Sequence, residues 1–179
     1  MRPTPLLVAV ARCGCLLFLA AVIASPLSAT AQSKRSESSW PSWRGPQRDG
    51  VSQEKGLLDQ WKKDGPKLLW SASGFGGGYS SIVIADGKIF TMGNVGGRCR
   101  LIAASLHDGK ILWSTPVGSG DPNCTPTYDD GVIYGLTVEG ELAACDASSG
   151  KLTWEKRFDR DFGGKMMSGW GYSESPLID

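Results

Sequence analysis

The 179-residue chain holds 24 glycines and seven tryptophans at a formal net charge of +1. A charge so close to zero excludes the electrostatic footprint of a nucleic-acid binder or of a protein held on an anionic membrane surface. Frequent glycine with scattered tryptophan, and no sustained helical period in the chain beyond residue 32, predicts an all-β protein rich in tight turns.

The first 31 residues read as a secretory signal peptide. Arg2 and Arg12 supply positive charge, Leu16 to Ala24 is an unbroken apolar run, Pro26 breaks it, and Ala29-Thr30-Ala31 offers small residues for cleavage after Ala31. Nine apolar residues are too few to cross a hydrocarbon core of ~30 Å, so no membrane span is expected after cleavage. The expected location is the periplasm or the extracellular space. Cleavage removes two arginines and no acid, which leaves a net charge of −1. Three cysteines remain, Cys99, Cys124 and Cys145; an odd number specifies no disulfide framework, and their pairing stays open. Residues 32–66 read as a polar linker followed by a leader segment.

From residue 67 to 179 the chain repeats itself. Gly-Pro-Lys-Leu-Leu-Trp ends at Trp70, Gly-Lys-Ile-Leu-Trp at Trp113 and Gly-Lys-Leu-Thr-Trp at Trp154, at spacings of 43 and 41 residues. A second marker, Asp86-Gly87 and Asp130-Gly131, recurs at 44 residues. Within the first unit, strands are predicted over 79–85, 88–93, 99–106 and 110–116. The second unit repeats them over 125–128, 132–138, 141–147 and 151–158. Asp-Gly and Gly-Gly pairs at the reversals supply the positive φ of tight hairpins. Four short antiparallel strands recurring at ~40–50 residues are the mark of a β-propeller blade.

The segment Ala144-Cys145-Asp146-Ala147-Ser148-Ser149-Gly150-Lys151-Leu152-Thr153-Trp154 resembles the pyrroloquinoline-quinone (PQQ) type repeat, A-x-D-x-x-x-G-K-x-x-W. In the preceding unit Ala103, Gly109, Lys110 and Trp113 keep the pattern, and Ser105 replaces the aspartate, which is expected to weaken one turn without disturbing register. The leader Trp40-Pro41-Ser42-Trp43-Arg44-Gly45-Pro46 with Asp49-Gly50 resembles that of secreted bacterial PQQ-like propellers. The resemblance covers about residues 40–179 and extends to the BamB-like and quinoprotein alcohol dehydrogenase-like propellers. It implies that Trp70, Trp113 and Trp154 dock between neighbouring blades, and that Gly109-Lys110 and Gly150-Lys151 mark tight turns beside Asp146.

For the dehydrogenases the resemblance implies a quinone capped by adjacent cysteines and a calcium held by Glu, Asn and Asp. This sequence has no adjacent Cys-Cys pair, and the spacing of Asn94, Glu139 and Asp161 assembles no calcium site. No catalytic residue, metal ligand or cofactor is therefore assigned; PQQ and calcium belong only to a longer form. His107, the single histidine, reads as a turn residue, and Gly74 to Gly78 as a blade connection without the ending of a phosphate loop. Asp161-Phe162-Gly163 has no partner motif, and the sequon at Asn123 is not expected to be modified in an exported bacterial protein.

One connection stands out. Residues 159–174 run six residues longer than their counterpart and hold Lys165, Trp170 and Tyr172, a possible binding loop for a protein or small-molecule partner. Leu68–Ser73 and Ser175–Asp179 read as orphan strands flanking two complete blades. The expectation is a partial propeller, truncated from a longer ring and acting as a non-catalytic interaction scaffold. The N-terminal part of a quinoprotein dehydrogenase is the alternative.

Overall fold

The computed structural model describes residues 39–179. The expected signal peptide and its cleavage point lie outside the described residues. Strands β1 (Val83–Ala85), β2 (Lys88–Val95), β3 (Arg98–Ser105) and β4 (Ile111–Gly118) form one antiparallel sheet in sequence order. Strands β5 (Thr127–Asp129), β6 (Val132–Leu136), β7 (Glu141–Asp146) and β8 (Leu152–Arg157) form a second of the same order, and a single helical turn, α1 (Phe158–Phe162), follows. These are two propeller blades.

Local chemistry sets the hairpins. Asp86 and Gly87 have φ of 50° and 69°, and Asp130 and Gly131 have 39° and 81°, so both inner reversals place two successive residues in the left-handed region. That is the turn whose twist matches the flanking strands. The A-x-D-x-x-x-G-K segment closes the outer hairpins with one backbone frame in both blades. Ser105 N–H bonds Lys110 O and Gly109 N–H bonds Ser105 O, at 2.9 and 2.8 Å; Asp146 to Lys151 and Gly150 to Asp146 repeat these distances. The register also slips at one repeat position in both, between Ala103 and Ala104 and between Ala144 and Cys145. A bulge at that point bends each blade in the same way.

The aspartate of the motif does more than its serine substitute. Asp146 Oδ1 accepts from Ser149 N–H at 2.7 Å and from the Ser148 and Ser149 hydroxyls at 2.6 Å each. The Ser105 hydroxyl accepts only from His107 N–H, at 3.2 Å. Hydrogen bonds to the ionised form hold the Asp146 carboxyl down at about 2. Because the folded value is depressed, its contribution to stability is full above the unfolded carboxylate value of ~3.9 and is lost as pH falls through about 2. A carboxyl-carbon NMR titration is expected to place Asp146 at about 2, and Asp146→Asn to remove that part of the acid dependence.

Three expectations need correction. The inner strands begin later than residues 79 and 125, because the preceding backbone bonds the next unit instead of its own hairpin. Tyr79 N–H donates to Pro122 O at 2.7 Å and Ser81 N–H to Thr125 Oγ1 at 3.2 Å. Leu68–Ser73 and Ser175–Asp179 are not strands; neither pairs into a sheet ladder. Phe158, placed in the last strand from sequence, instead opens α1, where the Asp161 carboxylate reaches back to Arg157 N–H at 2.7 Å.

The core lies where the blades face each other. Phe90, Met92, Leu101 and Ala103 of the first meet Ile133, Ala143 and Cys145 of the second, all buried. Gly135 is closely packed: a Cβ there would stand 3.0 Å from both Leu101 Cδ2 and Met92 Sδ, so these side chains would have to shift by a few tenths of an ångström to admit it. The leader ties the inner strands together. Trp40 exchanges two backbone bonds with Ile84, and Pro41 O accepts from Tyr128 N–H at 2.7 Å.

Candidate docking site on the second blade

The repeat tryptophans define one kind of contact used twice. Trp113 lies across the outer turn of the next blade: its Nε1–H donates to Ala147 O at 3.2 Å, and a Cβ on Gly150 would sit 2.5 Å from its ring. Thr115 Oγ1 completes the contact with a 2.6 Å bond to Gly150 O. Trp70 covers Gly109 in the same way, at 2.7 Å from the corresponding Cβ position. Each glycine has φ near 72°, a backbone that glycine adopts without strain and that leaves the indole a flat seat. Lys110 and Lys151 serve these turns through their carbonyls, while their side chains are exposed.

Trp154 is the third tryptophan of the series, and it is 40 % exposed. It floors an open, largely apolar groove of about 750 Å³, with Tyr134, Leu136 and Leu142 beside it. The 159–174 connection forms one wall through Lys165, Met166 and Tyr172, and Ile178 stands on another side. Trp170 does not line the groove. It is 78 % exposed, and its carbonyl is held by the Asn123 side-chain amide at 2.7 Å. Of the groove's residues, the sequence singled out Lys165 and Tyr172 as part of a possible binding loop and Trp154 as an interblade packing residue, and it did not single out Tyr134, Leu136 or Leu142. Their signal was their distance from Asp130-Gly131, which equals that of Phe90 and Met92 from Asp86-Gly87 for the first two.

A second cavity, polar and about 430 Å³, lies between β3–β4 and β7–β8, with Arg98, Arg100, Glu141, Lys156, Arg157 and Arg160 around it. Three of its charged side chains, Glu141, Arg157 and Arg160, are in ion pairs. Arg157 bonds Glu141 at 3.1 Å and Asp159 at 2.9 Å, Arg160 bonds Asp161 at 3.0 Å, and Arg100 is spent on Ser114.

Cys99, Cys124 and Cys145 are buried free thiols. Burial pushes Cys99 and Cys124 up to about 12 and Cys145 to about 11, so none is a thiolate at neutral pH. A thiol-specific reagent is expected to label none of them within minutes in the native chain and all three after denaturation.

The residues that a quinone-bound calcium would need do not fit one. The Asn94 amide donates to Asp121 at 2.8 Å, and both Asp161 oxygens are taken by Arg157 N–H and Arg160. Among the described residues, no three His, Cys, Asp or Glu side chains converge on a point that could hold a metal.

The sequence profile of the family described as outer membrane protein assembly factor BamB matches residues 50–164 and again 115–177. The chain belongs to this PQQ-like propeller family. Relatives carrying that description include one from Yersinia pestis, 28% identical over 89 residues, which covers 44% of this chain and 22% of the relative. Another, from Xanthomonas campestris pv. campestris, is 32% identical over 77 residues, covering 37% of this chain and 19% of the relative. The chain thus spans about a fifth of the length of the curated relatives it matches. Among solved structures, the quinohemoprotein alcohol dehydrogenase ADHIIG from Pseudomonas putida HK5 superposes with a TM-score of 0.43 at 20% identity, over 54% of this chain and 15% of the enzyme. No helix among the described residues is long and apolar enough to cross a membrane.

Proposed function

We propose that this PQQ-like propeller protein is an exported, non-catalytic interaction scaffold in the cell envelope, and that its two blades are part of a larger ring. The observation that carries this reading is the 159–174 connection. It presents Trp170, 78 % exposed, on a backbone anchored by Asn123, with Met167 beside it at 97 %. A large aromatic fixed in the open on a rigid blade is the kind of anchor that protein partners bury. The description of the relatives as outer membrane protein assembly factors supports a partner that is itself an envelope protein. Closed propellers take ~4–8 blades, and the short span against the relatives is consistent with a larger ring. The scaffold takes neither quinone nor calcium.

A photo-crosslinking residue placed at position 170 in cells tests this. The expected result is an adduct with an outer-membrane assembly protein, lost when the crosslinker is moved to the buried face at Ile133. The complete protein, given PQQ and calcium, is expected to reduce no dye with alcohols. Alcohol-dependent dye reduction would replace the scaffold with the dehydrogenase reading.

A further inference from the structure

The two blades share their turns and their tryptophans, and they differ at the end of the sheet from which the 159–174 connection leaves. There the second blade carries a polar cluster centred on Glu141. Its Oε1 accepts from Arg157 Nη1 at 3.1 Å and from Ser119 Oγ at 3.4 Å, and its Oε2 accepts from the Thr137 hydroxyl. Thr137 is fully buried, and the Glu141 side chain is only 16 % exposed. One carboxylate thus joins the exit from the first blade, the turn between β6 and β7, and the end of β8. The blade itself does not call for this cluster. At the corresponding positions, 44 residues earlier for Thr137 and 41 earlier for Glu141 and Arg157, the first blade has Gly93, Arg100 and Pro116. It forms the same four-stranded sheet without them.

What the second blade has and the first lacks is the longer connection, and that connection rests on the groups that Glu141 holds. Phe158 N–H donates to Gly140 O and Tyr172 N–H to Val138 O, each at 3.0 Å, so both ends of the loop are seated on the β6–β7 turn. The rings of Phe158 and Tyr172 meet edge to face at 4.9 Å, and a Cβ on Gly140 would stand 2.7 Å from the Tyr172 ring. On the other side of Glu141, Arg157 carries the contact into the loop. Its Nε bonds Asp159 at 2.9 Å, and its backbone N–H donates to Asp161 at 2.7 Å. Charge-assisted bonds of this kind are stronger than neutral ones and fix direction as well as distance. We infer that Glu141 is the positioning residue of the 159–174 connection, acting through Arg157 and Thr137 to fix the frame from which Trp170 and Tyr172 are presented. The inference rests on the scaffold reading for the use of that loop, and on bonds within the chain alone for its placement.

The test follows amide hydrogen exchange in the full chain for Glu141→Gln, for Arg157→Met and for the two together, with Glu155→Gln as the control. Glutamine keeps the shape and can still accept from Thr137, and methionine keeps most of the aliphatic stem; what both remove is the ion pair. The Gly164 and Tyr172 amides are expected to exchange at least tenfold faster in each single variant, and no faster still in the double, while the β2–β3 amides keep their rates. A general loss of stability would instead speed both sheets and add between the two sites. Unchanged exchange of Gly164 and Tyr172 overturns the inference. So does acceleration spread evenly over both sheets, an additive double variant, or an equal effect of Glu155→Gln. The crosslink from position 170 is expected to fall at least threefold in Glu141→Gln, and an undiminished adduct overturns the inference too. No adduct even from the unsubstituted chain, with faster loop exchange in the variants, removes the scaffold reading and leaves the positioning role standing.

Discussion

Gly150→Ala is expected to destabilise the chain by ~2–5 kcal/mol, while Gly131→Ala, at nearly the same backbone angle, costs only ~1–2 kcal/mol. Both residues sit in the left-handed region, at φ of 73° and 81°, so both substitutions carry the strain of a Cβ in that conformation. They differ in what the Cβ meets. At Gly131 nothing lies within 4 Å, whereas at Gly150 the Trp113 ring stands at 2.5 Å and cannot retreat without giving up its bond to Ala147. The excess measures the interblade contact. Urea unfolding followed by circular dichroism gives both values, and equal costs would show that the Trp113 seat contributes nothing to holding the blades together. Against a total stability of ~5–15 kcal/mol, the larger figure is enough to separate the blades in much of the population.

Phe90→Ala should cost ~3–5 kcal/mol and Tyr134→Ala only about 1 kcal/mol, although the two occupy one repeat position. Phe90 is fully buried, with Trp113 on one side and Tyr128 stacked on the other, so truncation leaves a cavity that packed strands on both sides cannot close. Tyr134 has its tryptophan neighbour but faces the open groove, where water fills the space of the lost ring. The same denaturation experiment reads both. Comparable losses would mean that the groove is covered in solution by the chain itself.

Much of this architecture is legible in the primary structure because propeller hairpins are local. Asp86-Gly87 and Asp130-Gly131 announce their turns, since few other pairs tolerate two successive positive φ values, and the eight strands fall within a few residues of where those turns put them. The misreadings share a cause. Residues 79–82 look like strand but spend their backbone donors on the next unit, and Leu68–Ser73 looks like strand without any partner to pair with. Alternation of side chains records a propensity for extended backbone; pairing depends on what lies alongside. Phe158 illustrates the converse, an apolar residue at the end of a strand pattern that opens a helical turn instead, where Asp161 bonds Arg157 N–H and Arg160.

The candidate site was legible only in part, for a related reason. Lys165 and Tyr172 were reached through the extra length of their loop, and Trp154 through the motif. Tyr134, Leu136 and Leu142 read in sequence as ordinary core, which is what their counterparts Phe90, Met92 and Leu101 are.

By itself, then, the sequence determined the blade: the positions of its turns, the order of its strands, the glycines of its outer turns and the family. These depend on φ preferences and on contacts within some forty residues, which a repeat prints directly into the chain. Only the tertiary structure decided which copies of the pattern are satisfied. Trp70 and Trp113 each cover a turn glycine and Trp154 covers none, and that difference lies in the arrangement of neighbouring units, which no property of the eleven-residue motif encodes.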